Sequence, residues 1–145
     1  MDCCDRFFKI GTVPLLLIME SSPDSVNGPA TVLFVDDDLS FIGMLKRTFA
    51  GHSDHRIMWF TDPSVALERF ARDPDGIDLV ITDYNMPRLT GNELARCLRV
   101  LNPAIRIVGT SSNIDQFDLD LLDLIIVKTH KKHVLIEAME KVLVK

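Results

Sequence analysis

Five short apolar runs, separated by amphipathic stretches, dominate the sequence from Thr31 onward. The runs are TVLFV (31–35), RIMWF (56–60), DLVIT (78–82), IRIVG (105–109) and LIIV (124–127). Most are continuous rather than alternating, which is typical of strands buried on both faces of a parallel sheet. Neighbouring runs are far enough apart for a crossover helix between them. The pattern therefore predicts a five-stranded parallel sheet.

The stretches between the runs carry apolar residues at helical spacing. Predicted helices cover residues 39–50, 91–101 and 131–144. Another begins at Pro63, with Asp62 as its N-cap. The segment 114–122 has the weakest helical pattern, so the fourth of the five helical segments is expected to be short. The fold class is therefore α/β, a doubly wound sheet with helices on both faces.

Length and composition suit one globular domain. The chain has 145 residues, of which 47% are hydrophobic and 26% charged, so it can fill a core and keep a polar surface. Its net charge of −5 gives no global basic field and argues against direct nucleic-acid binding. The three cysteines, Cys3, Cys4 and Cys97, show neither metal-type nor disulfide-type spacing, which fits a reducing, cytoplasmic compartment.

The beginning of the chain differs in composition from the rest. Residues 20–30 are rich in Ser, Pro, Asn and Gly, which is typical of a linker. We therefore expect a disordered N-terminal extension over residues 1–29 and a single domain over residues 30–145.

An apolar run, VPLLLIM (13–19), lies within this extension. It is shorter than the roughly 20 residues that a membrane-spanning helix needs, so no membrane association is predicted. Asp2 and Asp5 before it are unlike the basic start of a signal peptide. Met19 as the natural start is an open alternative.

Acidic residues follow two of the predicted strands. Asp36, Asp37 and Asp38 follow the first strand, and Asp83 follows the third. Ligands of open parallel sheets gather at the carboxyl ends of the strands, where these carboxylates would converge. Such a cluster suits Mg²⁺, which prefers carboxylate and other oxygen ligands. The alternative is that they cap helices and face water, and we expect Asp38 to cap the first helix.

The last two strands end in different polar groups. Thr110, Ser111 and Ser112 follow the fourth strand, and Lys128 follows the fifth. Hydroxyls and an ammonium group at the same edge could neutralise a phosphoryl group, and a carboxylate can be its acceptor. An ordinary turn and a surface lysine are the alternatives.

These motifs resemble the receiver family of two-component response regulators, the CheY-like domains. VLFVDDD is similar to the acidic motif of the family's first strand, and ITDYNMPRLTG is similar to its phosphoacceptor motif. The D-x-x-M-P-x-x-x-G spacing from Asp83 to Gly91 is highly specific. The resemblance covers about residues 30–145.

The resemblance implies a metal-dependent phosphoacceptor site. Asp83 would accept a phosphoryl group from a sensor histidine kinase or a histidine phosphotransfer protein. Asp37, Asp83 and the backbone carbonyl of Asn85 would hold Mg²⁺, and Asp36 would orient a metal-bound water. Lys128 would bind a phosphoryl oxygen.

The resemblance also implies a switch. Ser111 falls on the family's Ser/Thr position, where it would move toward the phosphate, and Thr110 is the alternative hydroxyl. The chain departs from the family pattern at Ile125, where an aromatic residue is common, and at Thr129, where proline is usual. Residues 111–128 are fewer than usual, which predicts a truncated fourth helix.

The predicted function is therefore that of a signalling receiver domain. Its only chemistry would be its own phosphorylation and dephosphorylation, and its partners would be the phosphodonor, a downstream protein target and, possible within the family, a second copy. A receiver-like module that binds proteins without phosphorylation is the main alternative. A hydrolase of the aspartyl-phosphate type is the third reading. Whether the chain is a stand-alone protein or a fragment stays open.

Overall fold

A computed structural model describes residues 28–51, 53–128 and 132–143. Five parallel strands form one sheet in the order β2-β1-β3-β4-β5. The strands are β1 (Thr31–Val35), β2 (Arg56–Phe60), β3 (Leu79–Asp83), β4 (Arg106–Ser111) and β5 (Leu124–Val127). The predicted parallel sheet is confirmed, and its order reverses at β1, so that β1 and β3 lie side by side at its centre.

Four α-helices cover the two faces of the sheet. They are α1 (Leu39–Phe49), α2 (Pro63–Arg72), α3 (Gly91–Leu101) and α4 (Lys132–Leu143). Helices α1 and α4 pack on one face, where Phe34, Leu45 and Met139 belong to one buried cluster. Helices α2 and α3 pack on the other, where Phe70 and Leu98 belong to a second cluster. The two cores explain the continuous apolar strands, which are buried on both faces.

Side-chain caps fix where the helices begin. The Asp38 carboxylate accepts hydrogen bonds from the Ser40 and Phe41 N–H groups at 3.0 and 3.2 Å. Asp62 caps α2 through the Ser64 N–H group at 2.9 Å, and Pro63 occupies the first helical position. Both predicted caps are confirmed, because each short acceptor satisfies N–H groups that a first helical turn leaves unpaired.

Two strands extend past their predicted ends. Asp83 is the last residue of β3, and Thr110 and Ser111 are the last two residues of β4. The apolar runs in the sequence end one or two residues before the strands do, because the last strand residues are polar. Backbone pairing between β3 and β4 nevertheless continues to Asp83 and Thr110. Asp83, Thr110 and Ser111 are therefore held by the sheet itself rather than by loops.

The β4–β5 segment (residues 112–123) contains no α-helix. It forms two single-turn 3₁₀ helices, Ile114–Gln116 and Leu119–Leu121. The predicted shortening of the fourth helical segment is confirmed, since too few residues separate β4 from β5 for a packed helix.

Arg99 of α3 holds the β4–β5 segment in place. Its Nε and Nη2 atoms donate to the Leu121 carbonyl oxygen at 3.1 and 3.0 Å, and Nη2 also lies 3.1 Å from Asp123 Oδ2. Nη1 donates to the Ile105 carbonyl oxygen before β4. One guanidinium therefore satisfies the Leu121 carbonyl of the β4–β5 segment and a carbonyl in the turn before β4.

Arg99→Ala should lower the free energy of unfolding by about 3 kcal/mol, because it leaves several carbonyl groups without donors. Urea denaturation followed by the fluorescence of Trp59, the only tryptophan of the sequence, would measure it. Arg96→Ala is the control, since Arg96 is exposed on the same helix. Equal stability of the two variants would contradict this role of Arg99.

The prediction from the cysteine spacing has a different outcome. Cys97 is buried, but it is disulfide-bonded, which the cysteine spacing did not predict. Residues 1–27 and Thr129 lie outside the described residues. Within the described part of the chain, no helix has the length and apolar character needed to span a membrane.

Candidate functional site

Three acidic side chains meet where β1 and β3 end. Asp36 is fully buried, Asp83 is 7% exposed, and Asp37 is exposed. Carboxylate oxygens of the three lie within 4.8 Å of one another. The cluster forms because Val35 and Thr82 pair in register, so the residues that follow them are neighbours. Such a set of oxygens fits a hard divalent cation on its exposed side.

Lys128 closes the cluster from the end of β5. Its Nζ atom lies 2.9 Å from Asp36 Oδ2 and 3.6 Å from Asp83 Oδ2. The Lys128 N–H group donates to the Ser111 carbonyl oxygen at 2.8 Å, which ties the lysine backbone to the end of β4. The ammonium is therefore part of the site rather than a surface group.

The two buried carboxyl groups have raised pKa values. Burial raises the pKa of Asp36 above 3.8, although hydrogen bonds from Asp38 and Lys128 oppose it. Burial, followed by the negative charge of Asp36, raises the pKa of Asp83 from 3.8 to about 6, with Lys128 acting in the opposite direction. A second cation would favour the charged carboxylates against both burial and the repulsion between Asp36 and Asp83.

The pKa of Lys128 moves in the direction that keeps it charged. Burial lowers it, but the hydrogen bond and charge of Asp36 and the charge of Asp83 outweigh burial and raise it above 10.5. The lysine is thus a permanent cation at neutral pH, within reach of Asp83.

Ser111 has partners in the β4–β5 segment. Its Oγ atom accepts from the Asn113 N–H group at 3.1 Å and donates to Gln116 Oε1 at 3.4 Å. The same Gln116 oxygen accepts from Asn85 Nδ2, also at 3.4 Å. Gln116 therefore bridges the Ser111 hydroxyl and the turn after Asp83, a role the sequence did not indicate.

The two candidate switch hydroxyls lie on opposite faces of the sheet. Thr110 pairs in register with Asp83 and Ile126, and Ser111 pairs with Val127. Since register partners point to the same face, the Thr110 side chain faces α1 and α4, where its hydroxyl donates to the Thr82 carbonyl oxygen at 3.4 Å. The Ser111 side chain faces the opposite way.

Phe117 anchors the β4–β5 segment beside Asp83. Its ring is buried and meets the Tyr84 ring edge-on, with centroids 5.1 Å apart. A Cβ atom on Gly91 would lie 2.6 Å from this ring and 2.7 Å from the Asp83 carbonyl oxygen, and one on Gly109 would lie 2.8 Å from the ring. Two glycines thus make the space that Phe117 fills.

Gly91→Ala should therefore destabilise the protein by about 2 kcal/mol, because the new methyl group would overlap a strand carbonyl that cannot move aside freely. Urea denaturation would measure the loss. Gly43→Ala in α1 is the matched control: a Cβ atom there meets nothing within 4 Å. We expect this control to gain about 0.5–1 kcal/mol from helix propensity. A similar gain for Gly91→Ala would show that the space beside Asp83 is not filled.

Comparison with known proteins now identifies the fold. A family model described as the response regulator receiver domain matches residues 32–141. The chain belongs to the response regulator receiver domain family. Accepting a phosphoryl group is the standard function of such domains in two-component signalling, so this is a signalling domain rather than a classical enzyme.

Two curated relatives support the assignment. Over 65 residues, 45% of this chain, the receiver is 40% identical to the two-component response regulator ARR21 of Arabidopsis thaliana. Over 81 residues, 56% of this chain, it is 33% identical to the transcriptional regulatory protein FlgR of Helicobacter pylori. The matches cover only 10% and 20% of those proteins, so their further activities do not transfer to this chain.

Solved structures show the same architecture. The response regulator TrrA of Thermotoga maritima, solved in complex with Mg²⁺-BeF, shares 26% identity with a TM-score of 0.70, covering 78% of this chain and 98% of that one. A CheY-like receiver of Methanospirillum hungatei shares 19% identity with a TM-score of 0.71, covering 80% of this chain and 94% of that one. The likeness to the Methanospirillum hungatei receiver shows the fold alone.

The structure brings most of the predicted site residues together. Asp36, Asp37, Asp83 and Lys128 form one cluster. Asn85 lies in the turn that follows Asp83, with its side chain exposed. Ser111 lies at the same edge but is engaged by Gln116 rather than by this cluster.

Proposed function

We propose that Asp83 is the phosphoacceptor of this receiver and that Lys128 neutralises the incoming phosphoryl group. The observation that carries this proposal is the placement of Lys128 Nζ 2.9 Å from Asp36 and 3.6 Å from Asp83 at the ends of three strands. A carboxylate oxygen of Asp83 would attack phosphorus, the bond to the donor's imidazole nitrogen would break, and an acyl phosphate would form. The expected donor is a phosphohistidine on a sensor kinase or phosphotransfer protein.

A magnesium ion suits the exposed side of this site. We infer that Asp37, Asp83 and the backbone carbonyl of Asn85 would hold it, with Asp36 orienting a bound water. The clustered carboxylate oxygens support this inference, because three acidic side chains meet where Lys128 supplies a single positive charge. When bound, the ion would neutralise charge on the phosphoryl oxygens.

Ser111 is the proposed switch hydroxyl. It donates to Gln116 at a long distance of 3.4 Å, which makes this a weak hydrogen bond to replace by a stronger one to a phosphoryl oxygen. Such a replacement would free Gln116 and with it the turn of the β4–β5 segment that contacts Asn85. The output would then be a population shift of this segment. Thr110 shares the face of Asp83 and is the alternative switch hydroxyl, but it donates to the Thr82 carbonyl oxygen rather than to Gln116 of this segment.

The proposed partners follow from this chemistry. They are the phosphodonor and a downstream protein target, both in the cytoplasm, with a homodimer as a further proposal. Neither direct nucleic-acid binding nor membrane binding is proposed. We also propose residues 30–145 as the receiver domain and residues 1–29 as a separate N-terminal extension.

Intact-mass spectrometry after incubation with acetyl phosphate tests the proposal. We expect a gain of one phosphoryl group that requires Mg²⁺ and is absent from Asp83→Asn. Asp75→Asn is the matched control, because Asp75 is exposed and precedes β3, at the opposite end of that strand from the acidic cluster. A folded protein that gains no phosphoryl group would instead favour a module that binds its partner without phosphorylation. The remodelled β4–β5 segment is the feature that would support that second function.

A further inference from the structure

We propose that Phe41 is a positioning residue for Lys128, holding the ammonium over Asp83 through its ring face. This inference rests on the proposed function, because it concerns how the neutralising cation is aimed. Lys128 Nζ lies over the Phe41 ring, 4.5 Å from its centroid. Asp36 and Asp83 contact the same nitrogen, so it is surrounded by three groups from three segments: Phe41 of α1, Asp83 of β3 and Asp36 just after β1.

The position of Phe41 is set by the acidic motif itself. Asp36 Oδ1 accepts from the Asp38 N–H group at 2.9 Å, and Asp38 in turn accepts from the Phe41 N–H group at 3.2 Å. Asp36, which contacts Lys128 through charge, is thus also linked through Asp38 to the start of α1 and to the Phe41 ring. Phe41 is three residues past the cap, where the first helical turn faces back toward the strand end.

Packing behind the ring limits its movement. The Phe41 ring lies 6.5 Å from the Phe34 ring, which is fully buried and lies 5.0 Å from the Trp59 ring. The ring therefore has an aromatic neighbour on the core side and the ammonium on the site side. A ring wedged in this way is a fixed surface rather than a mobile side chain.

A fixed aromatic face matters because a lysine side chain is flexible. Lys128 has four rotatable methylene groups, and a carboxylate attracts an ammonium from many directions. The negative face of an aromatic ring attracts a cation from one side, and more strongly where water is partly excluded. The Lys128 side chain is only 22% exposed, so the contact is partly shielded from water.

An aliphatic side chain would fill the same space without this attraction. We therefore expect Phe41→Leu to slow phosphorylation by acetyl phosphate about fivefold at saturating Mg²⁺. Phe41→Tyr should keep a near-normal rate, because its ring face is retained. Phe49→Leu is the matched control: Phe49 belongs to the same helix but packs on Trp59, at 5.9 Å, rather than on Lys128.

Fluorinated phenylalanines at position 41 separate electrostatics from packing. Mono-, di- and trifluorophenylalanine keep the ring shape while progressively weakening its negative face. A graded fall in rate with fluorination would support the proposal, because a purely structural role would not follow ring charge. Equal rates across the series, with Phe41→Leu matching Phe41→Tyr, would overturn it while leaving phosphorylation of Asp83 intact.

A double-mutant cycle tests the contact even if no phosphorylation occurs. The unfolding equilibrium constants of the original protein, Phe41→Leu, Lys128→Met and the double variant would be measured in urea without metal. We expect a coupling of about fivefold between the two positions. Additive effects would overturn the proposed contact, and a protein that shows the coupling but gains no phosphoryl group would refute only the proposed function.

Discussion

Lys128→Met is expected to reduce phosphorylation of Asp83 by roughly a hundredfold, because it removes the cation that neutralises the transferred group. The same change should lower the free energy of unfolding by about 3 kcal/mol in metal-free buffer. Asp36 is fully buried, and Lys128 at 2.9 Å is its partner of opposite charge. Methionine keeps the length of the side chain, so packing changes little. Intact-mass kinetics and urea denaturation would measure the two effects.

Two further variants show whether the position of the charge is what matters. Lys46→Met removes a positive charge from the exposed side of α1 and should change neither quantity appreciably. Lys128→Arg keeps the charge but not its compact shape, and should recover stability more fully than rate. A Lys128→Met protein that is phosphorylated at the normal rate would refute the role assigned to the ammonium.

Asp83→Asn is expected to stabilise the metal-free protein at pH 8 by up to about 3 kcal/mol. This gain in the free energy of unfolding follows from the pKa of Asp83, which burial and the charge of Asp36 raise from 3.8 to about 6. A raised pKa means that the folded state favours the neutral carboxyl group. Its contribution to stability is full below pH 3.8 and is lost as the pH rises through about 6. An amide is neutral at every pH and avoids that loss.

The pH dependence makes this prediction specific. The advantage of Asp83→Asn should be present at pH 8, shrink between about 6 and 3.8, and be absent at lower pH, where Asp83 is protonated in both states. Urea denaturation across this range would measure it. Asp75→Asn, which removes an exposed carboxyl group outside the site, is the control. Added Mg²⁺ should reduce the difference in the free energy of unfolding between Asp83→Asn and the original protein at pH 8. An Asp83→Asn protein that is less stable than the original at that pH would contradict a raised pKa of Asp83.

The sequence by itself determined the strand pattern, the caps and the identity of the charged site residues. Continuous apolar runs leave few options other than buried parallel strands, and Asp62-Pro63 marks a helix start through local hydrogen bonding alone. Asp36, Asp37, Asp83 and Lys128 could be assigned because each directly follows or ends such a run. Local chemistry and position along the chain were sufficient for these.

Only the tertiary structure decided which side chains share a contact across distant segments. Gln116 and Phe117 occupy a segment with weak periodicity, and their roles depend on Asn85, Ser111 and the space left by two glycines. In the sequence, Arg99 is one more polar residue of an amphipathic helix. In the structure, its guanidinium donates to the Leu121 carbonyl oxygen of the β4–β5 segment.

The same holds for Phe41, whose spacing in α1 predicts only a core residue. Its ring contacts Lys128 because β5 ends and α1 begins at the same edge of the sheet, although the two elements are far apart in the chain. Hydrophobic periodicity reports which side of an element is buried but not what lies opposite it. The acids and the lysine of this receiver were therefore readable from the sequence, whereas the groups that aim them depend on the packing of the whole domain.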